Sequence, residues 1–177
     1  MEKADFEQAL TSQSQAIAQI RELAHGIHDG VNQKYDKTHP YWYHLDMVAD
    51  LVAKHGSEVC ACSEDAAPLM FGAYFHDSIE DARLTYNDVL ALARGFFDEE
   101  HAVMATEIAY ALTNEKGRTR AERANDHYYE GIRSTPYAPL VKLADRLANM
   151  TYSHQCAGPA NDAMRRVYAG ELPHFLS

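Results

Sequence analysis

Four side chains that can bind a metal ion or transfer protons stand close together in the segment AYFHDSIEDA. They are His76, Asp77, Glu80 and Asp81, and they follow one of the most apolar runs of the chain. Burying carboxylates without compensation is costly, and the usual compensation is a metal ion or a strong cation. His76 and Asp77 therefore suit a divalent ion at the deep end of a buried helix. Glu80 and Asp81, one helical turn further on, suit a base that acts on water.

A single His-Asp pair cannot complete a coordination sphere, so further ligands are expected elsewhere in the chain. His44 begins an amphipathic segment directly after an aromatic run, and Asp145 interrupts the otherwise apolar stretch LVKLADRLANM. Taken alone, such a histidine is more often structural, and Asp145 could pair with Lys142 or Arg146. Taken together, two imidazoles and two carboxylates make a mixed nitrogen and oxygen site with room for water.

The elements that must position these groups are predicted to be helices, because apolar residues recur at helical spacing along the chain. Alternating β patterns, internal repeats and low-complexity segments are not seen in the sequence. The fold class is therefore all-α, with one domain over residues 1–177 and a bundle of roughly seven to nine helices. The predicted helices cover about residues 4–27, 43–54, 63–81, 85–94 and 98–112, with three more near residues 128–132 and 140–150 and after Pro159.

The composition argues against several classes of function. A formal net charge of -10 disfavours a nucleic-acid partner, because binding a phosphate backbone requires clustered lysine and arginine. The three cysteines, Cys60, Cys62 and Cys156, form neither a disulfide framework nor a zinc motif. No secretion signal is recognised, and the apolar runs are too short to cross a bilayer. We therefore expect a cytoplasmic protein without membrane or nucleic-acid partners, while an assembly of identical chains stays open.

In their order and approximate spacing, these residues resemble the metal ligands of the HD-domain phosphohydrolases. More narrowly, FHDSIEDA and VKLADRLANM are similar to the hydrolase domain of the RelA/SpoT-type (p)ppGpp hydrolases and of their single-domain relatives, the small alarmone hydrolases. The likeness covers most of the chain, and the combination of the two motifs in this order is far more specific than an HD pair alone. It implies an all-helical HD domain and hydrolysis of a phosphorylated nucleotide.

The resemblance also implies roles for particular residues. It implies that Glu80 and Asp81 orient or deprotonate the attacking water. The implied cofactor is one divalent ion, most often manganese in such hydrolases, with Fe, Co, Ni, Zn or Mg as alternatives. The residues that match the metal ligands are His44, His76, Asp77 and Asp145.

Substrate binding is expected to involve an amide and several cations. Asn149 matches the asparagine that contacts the nucleotide in the family, and Lys142 could support a phosphate or a neighbouring carboxylate. Lys34 and Lys37 are the only cations of the loop before His44, where the family carries an Arg-Lys pair. Arg118 belongs to a charged segment that either folds over the cleft or is an exposed loop. The substrate contacts expected from the sequence are therefore Asn149, Lys34, Lys37, Lys142 and Arg118.

Three hypotheses of function follow from these residues. The first is a hydrolase that removes pyrophosphate from the 3′ position of a (p)ppGpp-type nucleotide. The second is a phosphatase or nucleotidase acting on another nucleotide, such as the 2′-phosphate of NADPH or a nucleoside mono- or triphosphate. The third is a metal-stabilised binding module without turnover, although such a module gains nothing from the Glu80-Asp81 pair. The loop before His44, which lacks the Arg-Lys pair of the family, favours the second hypothesis. The two motifs FHDSIEDA and VKLADRLANM favour the first.

Overall fold

The computed structural model describes residues 1–156 and 158–176, apart from the side chain of residue 174. Within these ranges the chain is all-α and has no β-strand beyond one isolated bridge between Lys34 and Pro40. The prediction of an all-α bundle is confirmed. The helices are α1 (Lys3–Ser12), α2 (Ser14–Gly30), α3 (Trp42–His55), α4 (Ala66–Phe75), α5 (Tyr86–Ala93), α6 (Glu99–Ala111), α7 (Arg120–Arg123), α8 (Asp126–Ser134), α9 (Ala138–Gln155) and α10 (Pro159–Phe175), with short 3-10 helices at Gly56–Glu58 and Ser63–Asp65.

Helix α4 forms the centre of the bundle. All of its residues are buried, and it packs against α2, α3 and α6. A helix that is apolar on every side must be enclosed in this way, because no face of it favours water. Gly72 allows the closest approach, since a Cβ at this position would lie 2.4 Å from Cγ2 of Ile108 on α6. The C-terminal end of α4 is therefore fixed deep inside the protein.

Helix α4 ends at Phe75, so the prediction that it continues through His76 and Asp77 to about Asp81 is wrong. The hydroxyl and the backbone N–H of Ser78 both donate to the carbonyl oxygen of Phe75, at 2.7 and 3.0 Å. These bonds satisfy the carbonyl group of Phe75 at the end of the helix and replace the regular helical hydrogen bonds that would continue it. Residues 76–82 form turns, in which the N–H of Asp81 still bonds the carbonyl of Asp77 at 2.8 Å. The four chemically active side chains therefore lie on a turn rather than on successive turns of a helix.

Other boundaries agree with the sequence more closely. The segment predicted as one helix over residues 4–27 divides into α1 and α2 at Gln13, which lies in the polar run TSQSQ of residues 11–15. Thr85 and Asp88 form a capping box at the start of α5, and Asp98 caps α6. Across the described ranges, every helix is too short or too polar to traverse a lipid bilayer.

Candidate metal centre

Two buried histidines and a half-buried aspartate from separate elements converge at the end of α4. His44 lies in the first turn of α3, His76 directly follows α4, and Asp145 lies in the middle of α9. Each offers one ligand atom, and these atoms all lie within 4.8 Å of one another. His44 Nε2 is 3.2 Å from Asp145 Oδ1, and both imidazoles are 1% exposed. Two imidazole nitrogens and a carboxylate oxygen at such separations make a candidate site for one divalent cation.

The hydrogen bonding of His76 suits a metal ligand. Its Nδ1 donates to the carbonyl oxygen of Ala73 at 2.8 Å, which fixes the tautomer and leaves the Nε2 lone pair free in the neutral ring. His76 Nε2 is buried and makes no hydrogen bond of good geometry within the described residues, although Asp77 Oδ2 lies 2.9 Å from it. An orphaned buried nitrogen is costly unless something else satisfies it, and a cation beside it would do so.

Asp77 lies at the edge of the same cluster. Its Oδ2 is 2.9 Å from His76 Nε2 and 3.6 Å from His44 Nε2, and it accepts a hydrogen bond from the Tyr41 hydroxyl at 2.5 Å. The group of mutually close ligand atoms consists of His44, His76 and Asp145. The role of Asp77 as a fourth ligand therefore stays a prediction, and the geometry adds Tyr41 as a donor that orients its carboxylate.

The charges of the cluster are strongly coupled. Burial opposes protonation of His76, but Asp77, Asp145 and the Ala73 carbonyl together outweigh it and raise the pKa of His76 to about 9. For Asp145, burial favours the neutral acid, yet Lys142 and His44 hold its pKa well below the usual range. Lys142 Nζ donates to Asp145 Oδ2 at 2.8 Å. Positive groups therefore keep the buried carboxylates ionised, which is the state required of a metal ligand.

The two acids that follow the His-Asp pair have different surroundings. Glu80 is exposed, and its carboxylate accepts hydrogen bonds from the Asn114 side-chain nitrogen at 2.9 and 2.8 Å. Asp81 is half-buried, and burial together with the charge of Asp77 raises its pKa. Hydrogen bonding from Tyr41 acts in the opposite direction. Asp81 is thus more basic than an ordinary aspartate, and Glu80 is held by Asn114.

Both acids line a cavity of about 180 Å³ that is also lined by His44, Asp77 and Asp145. Of the predicted substrate contacts, Asn149 and Lys142 line this cavity. Lys34, Lys37 and Arg118 are not among its lining residues. The cavity's other cations are arginines of α7 and α9. The polar and charged lining residues are Tyr41, His44, Asp77, Glu80, Asp81, Asn114, Arg120, Arg123, Tyr128, Tyr129, Lys142, Asp145, Arg146, Asn149, Tyr168 and Glu171.

Asn149 supports the candidate metal centre directly. Its side-chain nitrogen donates to Asp145 Oδ1 at 2.7 Å, and its side-chain oxygen accepts from the Tyr35 hydroxyl at 2.9 Å. The Tyr35 ring also stacks on His44, with 5.2 Å between ring centroids and an angle of 10° between ring planes. Sequence reasoning missed the parts played by Tyr35, Tyr41 and Asn114, because a tyrosine or an asparagine in a loop carries no motif. The proximity of Tyr41 to His44 in the sequence was the one available signal.

The fold and the centre together define an all-helical protein with a His-His-Asp site for a divalent cation. Comparison with protein families finds a match to the HD domain over residues 41–150. The chain therefore belongs to the HD-domain family. HD domains bind divalent metals and are generally metal-dependent phosphohydrolases. A search of curated proteins finds no match to this chain.

Proposed function

We propose that this protein is a divalent-metal-dependent phosphohydrolase acting on a phosphorylated nucleotide. The observation that carries the proposal is the convergence of His44, His76 and Asp145 beside a cavity that is also lined by four further carboxylates and four cationic side chains. His44, His76 and Asp145 would hold the cation, with Asp77 as the fourth ligand. A bound divalent cation supplies polarisation of a phosphoryl oxygen and a lowered pKa of water.

The acid pair would carry the proton transfer. We assign Asp81 as the base, because its raised pKa increases its affinity for a proton. Glu80, held by Asn114, would orient the attacking water. The water oxygen attacks phosphorus in line with the leaving oxygen of the nucleotide, and the proton passes to Asp81. In this assignment Glu80 is a positioning group and Asp81 is the base.

The remaining phosphate charge must be met by side chains at the cavity wall. Lys142 already forms an ion pair with Asp145, so its first role is to stabilise the metal centre rather than to bind a substrate. Asn149 is likewise bonded to Asp145, although it lines the cavity and can contact a nucleotide. The arginines of α7 and α9 are therefore the main cations for phosphate recognition.

A (p)ppGpp-type 3′-pyrophosphohydrolase is the first choice of activity, and the support for it is the pair of motifs FHDSIEDA and VKLADRLANM. A phosphatase or nucleotidase on another nucleotide is the second candidate. It is favoured by the position of Lys34 and Lys37 outside the cavity wall, because the substrate-recognising loop of the family would then contribute no cation here.

A substrate panel tests these assignments. The purified protein would be loaded with Mn²⁺ and incubated with ppGpp, NADPH and common nucleoside phosphates, with products separated by chromatography. Pyrophosphate released from ppGpp supports the first activity, and orthophosphate released from NADPH or a nucleoside phosphate supports the second. The Asp81→Asn protein serves as the control for contaminating phosphatases. Absence of turnover on every compound with each of several metals would contradict the proposal and favour a binding module.

A further inference from the structure

Two arginines of the cavity share a single carboxylate. Arg120 of α7 donates to Glu171 of α10 through Nε at 2.5 Å and through Nη2 at 3.2 Å. Arg146 of α9 donates through Nη1 to the same carboxylate at 2.7 Å. The two guanidinium groups therefore converge on one pair of oxygen atoms, which is the geometry by which arginines bind an oxyanion.

Aromatic rings hold the two guanidinium groups in place. The guanidinium carbon of Arg146 lies 4.9 Å from the ring centroid of Tyr168 and 4.7 Å from that of Phe175. The corresponding atom of Arg120 lies 5.8 Å from the Tyr168 ring. Arg146 is 8% exposed, so its charge is largely removed from water and is expensive to leave unpaired. Arg146 is thus held in place by burial and by two rings, whereas Arg120, about half exposed, is held by its bonds to Glu171 and by the Tyr168 ring.

This arginine pair opens into the same cavity as the candidate metal centre. Arg120, Arg146, Tyr168 and Glu171 line it together with His44 and the acid pair. Two positive charges against one carboxylate leave this wall positive, in a chain whose formal net charge is -10. A phosphoryl group brings a larger negative charge and more acceptor oxygens than a carboxylate, so it can replace Glu171 with a gain in charge-assisted hydrogen bonds.

We propose that Arg120 and Arg146 form a second phosphate subsite, which binds a phosphoryl group of the substrate remote from the one that is hydrolysed. In the free protein Glu171 occupies this subsite as an internal competitor, and substrate binding displaces it. The identification of the ligand as substrate rests on the proposed function, whereas the binding of phosphate by the two arginines does not. The subsite favours nucleotides that carry phosphate at two separate positions.

Binding of inorganic pyrophosphate to metal-free protein tests the subsite without any need for turnover. Calorimetric titration in EDTA is expected to show about 5-fold tighter binding to Glu171→Gln than to the wild type, because the competing carboxylate is removed. Glu100→Gln, an exposed change of the same charge on α6, should bind as the wild type does. Glu171→Asp keeps the charge and should show no gain. Adding Arg120→Gln to Glu171→Gln should abolish the gain.

Equal affinity of Glu171→Gln and wild type, or a gain that persists without Arg120, would overturn the subsite and leave the cluster as a link that fastens α10 to α9. If Glu171→Gln fails to fold, Arg120→Gln alone decides, because it must weaken pyrophosphate binding about 5-fold in the wild-type background. Unchanged binding in that variant contradicts the proposal.

A kinetic measurement with metal-loaded enzyme identifies the source of the phosphoryl group. Arg120→Gln should raise KM for the nucleotide that is hydrolysed by about 5-fold or more. An unchanged KM with weaker inhibition by free phosphate would assign the subsite to the product and contradict the substrate assignment. An inactive enzyme that still shows the pyrophosphate effects would refute the proposed function and leave the phosphate-binding subsite standing.

Discussion

The two ends of the cavity hold their charges in different ways. At the end formed by α3, α4 and α9, the imidazoles of His44 and His76 are buried, and helices from the core position them. At the other end, Arg120 and Glu171 come from α7 and α10 at the periphery, and about half of the Arg120 side chain is exposed to solvent. The first end is a rigid site suited to a metal ion, and the second is an adjustable one suited to recognition of a substrate.

This contrast indicates how one cavity can combine fixed chemistry with variable specificity. Groups that act on the reacting atoms must be held within narrow limits, and packing in the core provides this. Groups that recognise a distant phosphate tolerate exchange of one partner for another, as when a substrate replaces Glu171. Mutations at the two ends should therefore differ in kind as well as in size.

The largest effect is expected from His76→Ala at the rigid end. The change removes a metal ligand and the nearest positive partner of Asp77, while Lys142 still pairs with Asp145, and it should cost about 3 kcal/mol of unfolding free energy. Metal content, activity and melting temperature should all fall, as measured by atomic absorption, phosphate release and calorimetry. His55→Ala, at a more exposed histidine on α3, is the control. Full metal content with an unchanged melting temperature would refute the buried site.

Asp81→Asn should separate chemistry from metal binding. Without the base, turnover should fall by about 1000-fold, while the metal content and the melting temperature stay close to those of the wild type. Phosphate release and metal analysis on the same preparation measure both. Asp5→Asn, an exposed carboxylate on α1, is the matched control. Loss of the metal together with activity would mean that Asp81 is a metal ligand rather than the base.

The pH dependence of the metal-free protein tests the electrostatics of the same end. Because the pKa of His76 is raised from 6.5 to about 9, its protonated form stabilises the fold fully below pH 6.5, and this stabilisation is lost as pH rises through 9. The loss is at most about 3 kcal/mol. Melting temperatures in EDTA should fall over this window, and His76→Ala should lack that fall. A wild-type profile without it would contradict the Asp77–His76 interaction.

The smallest effect is expected from Asn114→Ala, which lies between the two ends. Glu80 loses the side-chain hydrogen bonds of Asn114, but it stays solvated and close to the cavity. Because the base Asp81 is untouched, kcat should fall only about 2- to 5-fold, with stability within about 0.5 kcal/mol. Steady-state kinetics measure this change. A loss as large as that of Asp81→Asn would make Glu80, rather than Asp81, the essential acid.

The sequence was sufficient to predict the all-α class and to single out the residues of the rigid end. A histidine or an aspartate within an apolar run stands out, because an uncompensated polar group is rarely buried there. His76 and Asp145 carried this signal, His44 stood out only in combination with them, and the structure brings the three together.

The other end could not be predicted in the same way. Arg120 and Glu171 are 51 residues apart in the sequence, and their pairing depends on how α7 and α10 pack. Arg120 belongs to the charged segment that was expected either to fold over the cleft or to be an exposed loop; it lines the cavity, whereas Arg118 does not. The end of α4 was also misjudged, because the hydrogen bonds of Ser78 outweigh the helical propensity of the residues that follow.

Anomalous X-ray diffraction from crystals grown with Mn²⁺, recorded at the manganese absorption edge, is the most direct test of the central claim. The account predicts one strong peak per chain, within coordination distance of His44 Nε2, His76 Nε2 and an oxygen of Asp145, with Asp77 as the fourth ligand. A crystal with manganese bound elsewhere, or with no anomalous peak between these side chains, would contradict it.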